Sequence, residues 1–107
     1  QVIHTPGHSP GHCCFYEPEQ RYLYSGDLIY KGSLDAFYPS TDPWLFYQSI
    51  RRIRKYRINK ILPGHHSLDI PVSLIADIEA GFAKLAGEGE LRRGNGVFAF
   101  PNFQIHI

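Results

Sequence analysis

Apolar positions along this chain of 107 residues follow two different periods, and the change from one to the other divides it into elements. Over residues 43–56, Phe46, Ile50 and Ile53 recur at helical spacing while Arg51, Arg52, Arg54 and Lys55 fill the opposite side, which predicts an amphipathic helix. Asp42-Pro43 marks its start, because Asp can accept from the free N–H groups of a first turn and Pro fits the first helical position. A second helix is predicted after Pro71, over residues 72–86, with Ile75, Ile78, Phe82 and Leu85 on one stripe and Gly87 as its stop.

Strand signals occupy the rest. Val2-Ile3 opens the chain, and Cys13-Cys14-Phe15-Tyr16 and Arg21-Tyr22-Leu23-Tyr24-Ser25 read as two strands joined by a turn at Glu17-Pro18-Glu19-Gln20. Lys60-Ile61-Leu62 is a short buried strand closed by Pro63-Gly64, and two further runs, residues 97–100 and 103–107, alternate enough to suggest strands. Residues 28–41 show no clean period and are expected to form a long, partly buried loop. The order strands, helix, strand, helix, strand places the chain in the α/β class, and no repeat or linker divides it.

Composition narrows the function classes. A hydrophobic fraction of 43% and an aromatic fraction of 14% exclude a disordered chain. The formal net charge of +1 exerts no global pull toward nucleic acid or acidic membranes, so any basic function must be local. No apolar run approaches the roughly 20 residues that cross a bilayer, and the chain reads as soluble. Cys13 and Cys14 are neighbours that point to opposite faces of a strand; they make no disulfide framework and are expected to be reduced core residues, which favours the cytoplasm. The chain starts at Gln1, inside an apolar segment and without Met, as a piece cut from a longer protein would.

The candidate chemistry begins at His4-Thr5-Pro6-Gly7-His8-Ser9-Pro10-Gly11-His12, three histidines on a loop made rigid by Pro and Gly. His8 follows the first predicted strand, Asp27 the third and His65 the fourth, and ligand sites in layered α/β proteins collect at the carboxyl ends of strands. Two imidazoles and a carboxylate suit zinc, and also iron or manganese. A metal so held activates water near neutral pH and polarises a carbonyl or phosphoryl oxygen. Each residue also has a plainer reading. A Gly-Asp pair often only caps a turn, and His12 is as suited to bonding backbone as to orienting a ligand. Thr5 and Ser9 are expected to brace the loop, and His4, His66 and His106 are expected to be structural.

Taken together, His-Thr-Pro-Gly-His-Ser-Pro-Gly-His, Ser-Gly-Asp27 and Leu-Pro-Gly-His65, in this order, resemble the three C-terminal metal motifs of the metallo-β-lactamase-fold hydrolases, a likeness covering residues 3–66 directly. The resemblance implies half of an αββα sandwich, a mixed sheet with flanking helices, and an intact site with two zinc ions. His8 would ligate the first, Asp27 would bridge both, and His65 would ligate the second, with a metal-activated water attacking an ester or thioester. His12 and Ser9 are candidates to orient these ligands.

Nothing here matches the family's upstream His-x-His-x-Asp-His motif. The 107 residues therefore resemble the C-terminal part of such a domain with its N-terminal half missing, expected alone to bind metal weakly and hydrolyse little. Such a half is also expected to associate with the complementary half or with itself.

Tyr38-Pro39-Ser40-Thr41-Asp42-Pro43 and Phe103-Gln104-Ile105-His106-Ile107 look similar to a branch that includes acyl-coenzyme A thioesterases, and the basic cluster around Arg51 could meet coenzyme A phosphates. Two alternatives stand beside the hydrolase reading. One is a non-catalytic binding or assembly module. The other is a nucleic-acid phosphodiesterase using the basic helix, against which the near-neutral net charge counts.

Overall fold

The computed structural model describes residues 1–35, 41–64, 70–92, 94 and 96–107. Among these described residues nine elements follow in chain order: β1 (Val2–His4), β2 (Cys13–Glu17), β3 (Tyr22–Gly26), β4 (Gly32–Asp35), α1 (Pro43–Ile53), β5 (Lys60–Pro63), α2 (Leu74–Gly87), β6 (Val97–Phe100) and β7 (Phe103–His106). They form a four-stranded sheet ordered β1-β2-β3-β5 and a three-stranded sheet ordered β4-β7-β6. Both sheets are mixed: β3 runs parallel to β5 and β4 parallel to β7, while the other pairs are antiparallel. The α/β expectation holds.

Strand alternation decides what the larger sheet buries. Ile3 lies opposite Cys14 and Leu23 opposite Ile61, and all four side chains are buried. On the other face the row Val2, Phe15 and Tyr24, cross-strand partners in turn, stays exposed. The buried face shares one core with the inward stripes of both helices. Phe46 of α1 stacks on Phe82 of α2 at 5.2 Å, and Phe46, Ile50, Ile53, Ile78 and Phe82 are fully buried. The Cys14 thiol lies in this core, where burial pushes its pKa up to about 11 and makes it a small apolar residue as expected, whereas Cys13, also expected in the core, is only half-buried because its neighbour takes the inward face.

Three boundaries differ from the sequence reading. The expected loop over residues 28–41 contains β4, which pairs with β7 so that Leu34 faces Ile105. Gly, Ser and Asp are poor strand formers, and only this distant partner makes a strand of them. Helix α1 stops at Ile53, not near Tyr56, because the chain tightens there: Lys55 and Tyr56 donate to carbonyls three residues back, and Tyr56 meets the Tyr16 ring edge-on at 5.0 Å. Helix α2 starts at Leu74, one turn after Pro71, whose carbonyl accepts the Leu74 N–H. The Asp42 cap is as predicted, with Oδ1 accepting from the N–H groups of Trp44 and Leu45 at 3.0 and 3.1 Å. Among the described residues no helix is long and apolar enough to cross a membrane.

Candidate metal centre

The histidine loop is clamped onto α1 from three sides. The Pro6 carbonyl accepts from Ser49 Oγ at 2.6 Å, the Gly7 carbonyl accepts from Asp42 N–H at 2.7 Å, and the His4 carbonyl accepts from Arg52 Nη1. Between these anchors Gly7 passes so close to the helix that a Cβ there would lie 2.3 Å from the Phe46 backbone. The loop that carries His8 is thus seated on the helix backbone itself.

Inside the loop each histidine has a different task. His4 Nε2 pairs with the Pro10 carbonyl at 2.7 Å and staples the turn, the structural role expected of it. His12 joins two strands. Asp27 N–H donates to His12 Nε2 at 3.0 Å, so that nitrogen carries a lone pair and the ring proton sits on Nδ1, which donates to Thr5 Oγ1 at 2.9 Å. Of the two sequence readings of His12, the bonding of backbone is what the structure shows, and the backbone it bonds belongs to Asp27. Thr5 braces the loop through its fully buried hydroxyl, and Ser9 does so through its carbonyl, which accepts from Gly7 and His12 N–H. Gly26 permits this approach, since its φ is +55° and a Cβ would stand 2.7 Å from His12 Nε2.

His8 is aimed from the far side. Its Nδ1 donates to the Asp35 carbonyl at the end of β4, at 3.3 Å, which leaves Nε2 pointing at Asp27 Oδ2, 3.6 Å away. The side chains are about a quarter and a third exposed, so the pair is open to solvent on one side. An imidazole lone pair and a carboxylate oxygen repel unless a cation lies between them. Their separation is close to that of two donors on one tetrahedral ion with bonds of about 2.0–2.1 Å. The donor chemistry therefore fits a divalent metal.

Among the described residues no three His, Cys, Asp or Glu side chains converge on one point. The third expected ligand, His65, and its neighbour His66 lie outside the described residues. The chain does bring Gly64, which precedes His65, against Gly26, which precedes Asp27: Gly64 N–H donates to the Gly26 carbonyl at 2.9 Å. This contact continues the parallel pairing of β3 with β5. His106 stands 3.9 Å from Asp35 Oδ1, outside the His8 and Asp27 pair.

Asp35 is the contributor that sequence reasoning missed. It acts through a carbonyl, which every residue has, at the end of a strand that only tertiary pairing reveals, so no side-chain signal marked it.

Burial lowers the pKa of His12 from its ordinary 6.5, the nearby Asp27 carboxylate opposes this, and His8 adds to it. A native value below the unfolded one means that the neutral ring stabilises the fold fully above pH 6.5 and that this contribution is lost as pH falls toward the native value. Urea midpoints between about pH 7.5 and 5 should fall for the wild type, and less steeply for His12→Gln, which keeps an acceptor but cannot titrate. Parallel profiles would show that His12 is not the group responsible.

The profile of the metallo-beta-lactamase superfamily matches residues 1–65, the stretch that carries the loop, Asp27 and the end of β5. The chain belongs to the metallo-beta-lactamase superfamily. Within it, the acyl-coenzyme A thioesterase MBLAC2 of Gallus gallus is 34% identical over 71 residues, 63% of this chain and 26% of that protein. Among solved structures, TTHA1623 in a di-iron-bound form is 40% identical, with a TM-score of 0.56 over 63% of this chain and 35% of its own. The metallo-beta-lactamase family protein TTHA1429 from Thermus thermophilus is 26% identical, with a TM-score of 0.65 over 81% of this chain and 31% of its own. The chain thus spans about a quarter to a third of the length of these three proteins. Its two mixed sheets and two helices are part of the superfamily's sandwich.

Proposed function

We propose that this chain carries one wall of a metal-dependent hydrolase site in which His8, Asp27 and His65 are ligands, the remaining ligands come from outside these 107 residues, and the substrate is a thioester. The observation that carries the reading is the aim of His8: Nδ1 is occupied by the Asp35 carbonyl and Nε2 faces the Asp27 carboxylate at 3.6 Å. A divalent metal bound by such donors activates water and polarises a carbonyl oxygen. The protein's own part is to prepare the donors. Asp35 keeps the proton of His8 on Nδ1, and His12, its pKa lowered by burial and its ring proton directed to Thr5 Oγ1, fixes the Asp27 main chain. No side chain is needed as a nucleophile.

Imidazole nitrogen and carboxylate oxygen suit zinc, iron and manganese, and the di-iron form of TTHA1623 supports iron beside zinc. The thioester preference rests on the likeness to MBLAC2. Assays of the intact, metal-loaded protein against an acyl-coenzyme A, a β-lactam and bis-p-nitrophenyl phosphate test it. Turnover of the thioester is expected; turnover of the phosphodiester alone would replace this reading with a nuclease.

A further inference from the structure

The outward side of α1 and the tight turn that follows it concentrate charge that neither the core nor the His8–Asp27 pair uses. Gln48, Arg51, Arg52 and Lys55, spaced i, i+3, i+4 and i+7, face a groove of about 510 Å³ that Arg54 and, from α2, Glu79 complete. Four cations meet one carboxylate there, in a chain whose formal net charge is only +1. That carboxylate is engaged, since Arg54 Nη1 donates to Glu79 Oε1 at 2.6 Å.

Arg51, Arg52, Arg54 and Lys55 are like charges crowded into five consecutive positions, and they repel one another. Only the basic residues of the last turn, Arg51 and Arg52, gain from the helix dipole. Three of the cations are also held before any ligand arrives: Arg52 by the His4 carbonyl, Arg54 by Glu79, and Arg51 with its guanidinium 5.6 Å from the Tyr47 ring centre. Ordering long side chains is a main cost of binding an anion, and for Arg51 part of it is already met.

We infer that this groove binds a small diphosphate-bearing molecule, with the Arg51 guanidinium and Lys55 ammonium on the phosphate oxygens and the Gln48 amide as a neutral donor. The inference stands on the charge geometry and is independent of the hydrolase reading, because its test reads binding and not turnover. Inorganic pyrophosphate and ADP are titrated into the intact protein by calorimetry at about 150 mM salt, where diffuse charge attraction is largely screened. Both should saturate one site. Arg51→Gln/Lys55→Gln should weaken them by about tenfold or more, as expected when contacts to charged groups are lost. Lys55→Gln alone should weaken them less, and Arg92→Gln, an exposed cation outside the groove, should leave them within about twofold. The substituted side chains are all exposed, and thermal melts check that each variant is folded. Absence of saturable binding, or an equal loss in Arg92→Gln, overturns the inference. So does oligothymidylate binding more tightly than ADP, which would make the groove an extended nucleic-acid surface.

Discussion

Gly7→Ala is expected to destabilise the protein by about 3 kcal/mol or more, an effect far out of proportion to one methyl group. Gly7 has a φ of +138°, a conformation closed to residues with a Cβ, and that Cβ would sit 2.3 Å from both N and Cα of Phe46. The obstacle is helix backbone, not the tip of a flexible side chain. Neither partner can step aside. The loop is tied to α1 by Pro6 with Ser49 and by Gly7 with Asp42, and the Phe46 side chain is fully buried against Phe82. For a domain of this size the loss corresponds to a fall in Tm of roughly 12 °C or more. Gly11→Ala, with nothing within 4 Å of its added Cβ, should stay within about 0.5 kcal/mol of the wild type. A melt of Gly7→Ala within a few degrees of the wild type would mean that the loop is not seated on the helix as described.

The second large effect concerns the proposed metal ligands. In the intact protein, His8→Ala, Asp27→Ala and His65→Ala should each lower bound metal and reduce kcat/KM by at least about 100-fold, since loss of even an outer hydrogen-bond partner of a ligand costs roughly 10- to 100-fold. His4→Ala is the informative contrast. Its imidazole lies on the same loop but is committed to the Pro10 carbonyl, so its loss should cost about 1 kcal/mol of stability while bound metal is retained. Metal content unchanged in all three ligand variants would refute the assignment. Equal loss in His4→Ala would show that the loop collapses as a whole, and that metal content there reports folding and not coordination.

Local chemistry makes much of this legible in the amino-acid sequence. Phe46, Ile50 and Ile53 at helical spacing behind Asp42-Pro43 suffice for α1, because a cap and a period are properties of neighbouring residues. The same holds for the stripe of α2 and for the β2–β3 hairpin. The site is legible in part, because His8 and Asp27 each follow a strand beside a glycine that the turn requires. Their convergence from positions far apart in the chain is a tertiary fact, and so is the difference among His4, His8 and His12, which are identical in type and share one loop.

What the amino-acid sequence by itself determined was therefore the set of elements, their order and the candidate donors, all of which depend on interactions within a few residues. The tertiary structure alone decided that Gly32–Asp35 is a strand, that the Asp35 carbonyl turns His8 toward Asp27, and that His12 is held neutral beneath the Asp27 main chain. It also gathered the basic side of α1 into a groove closed by Glu79 of the other helix. The reason is the same in each case: a carbonyl's partner, a ring's tautomer and a charge's surroundings are set by groups distant in the chain, and no local pattern encodes them.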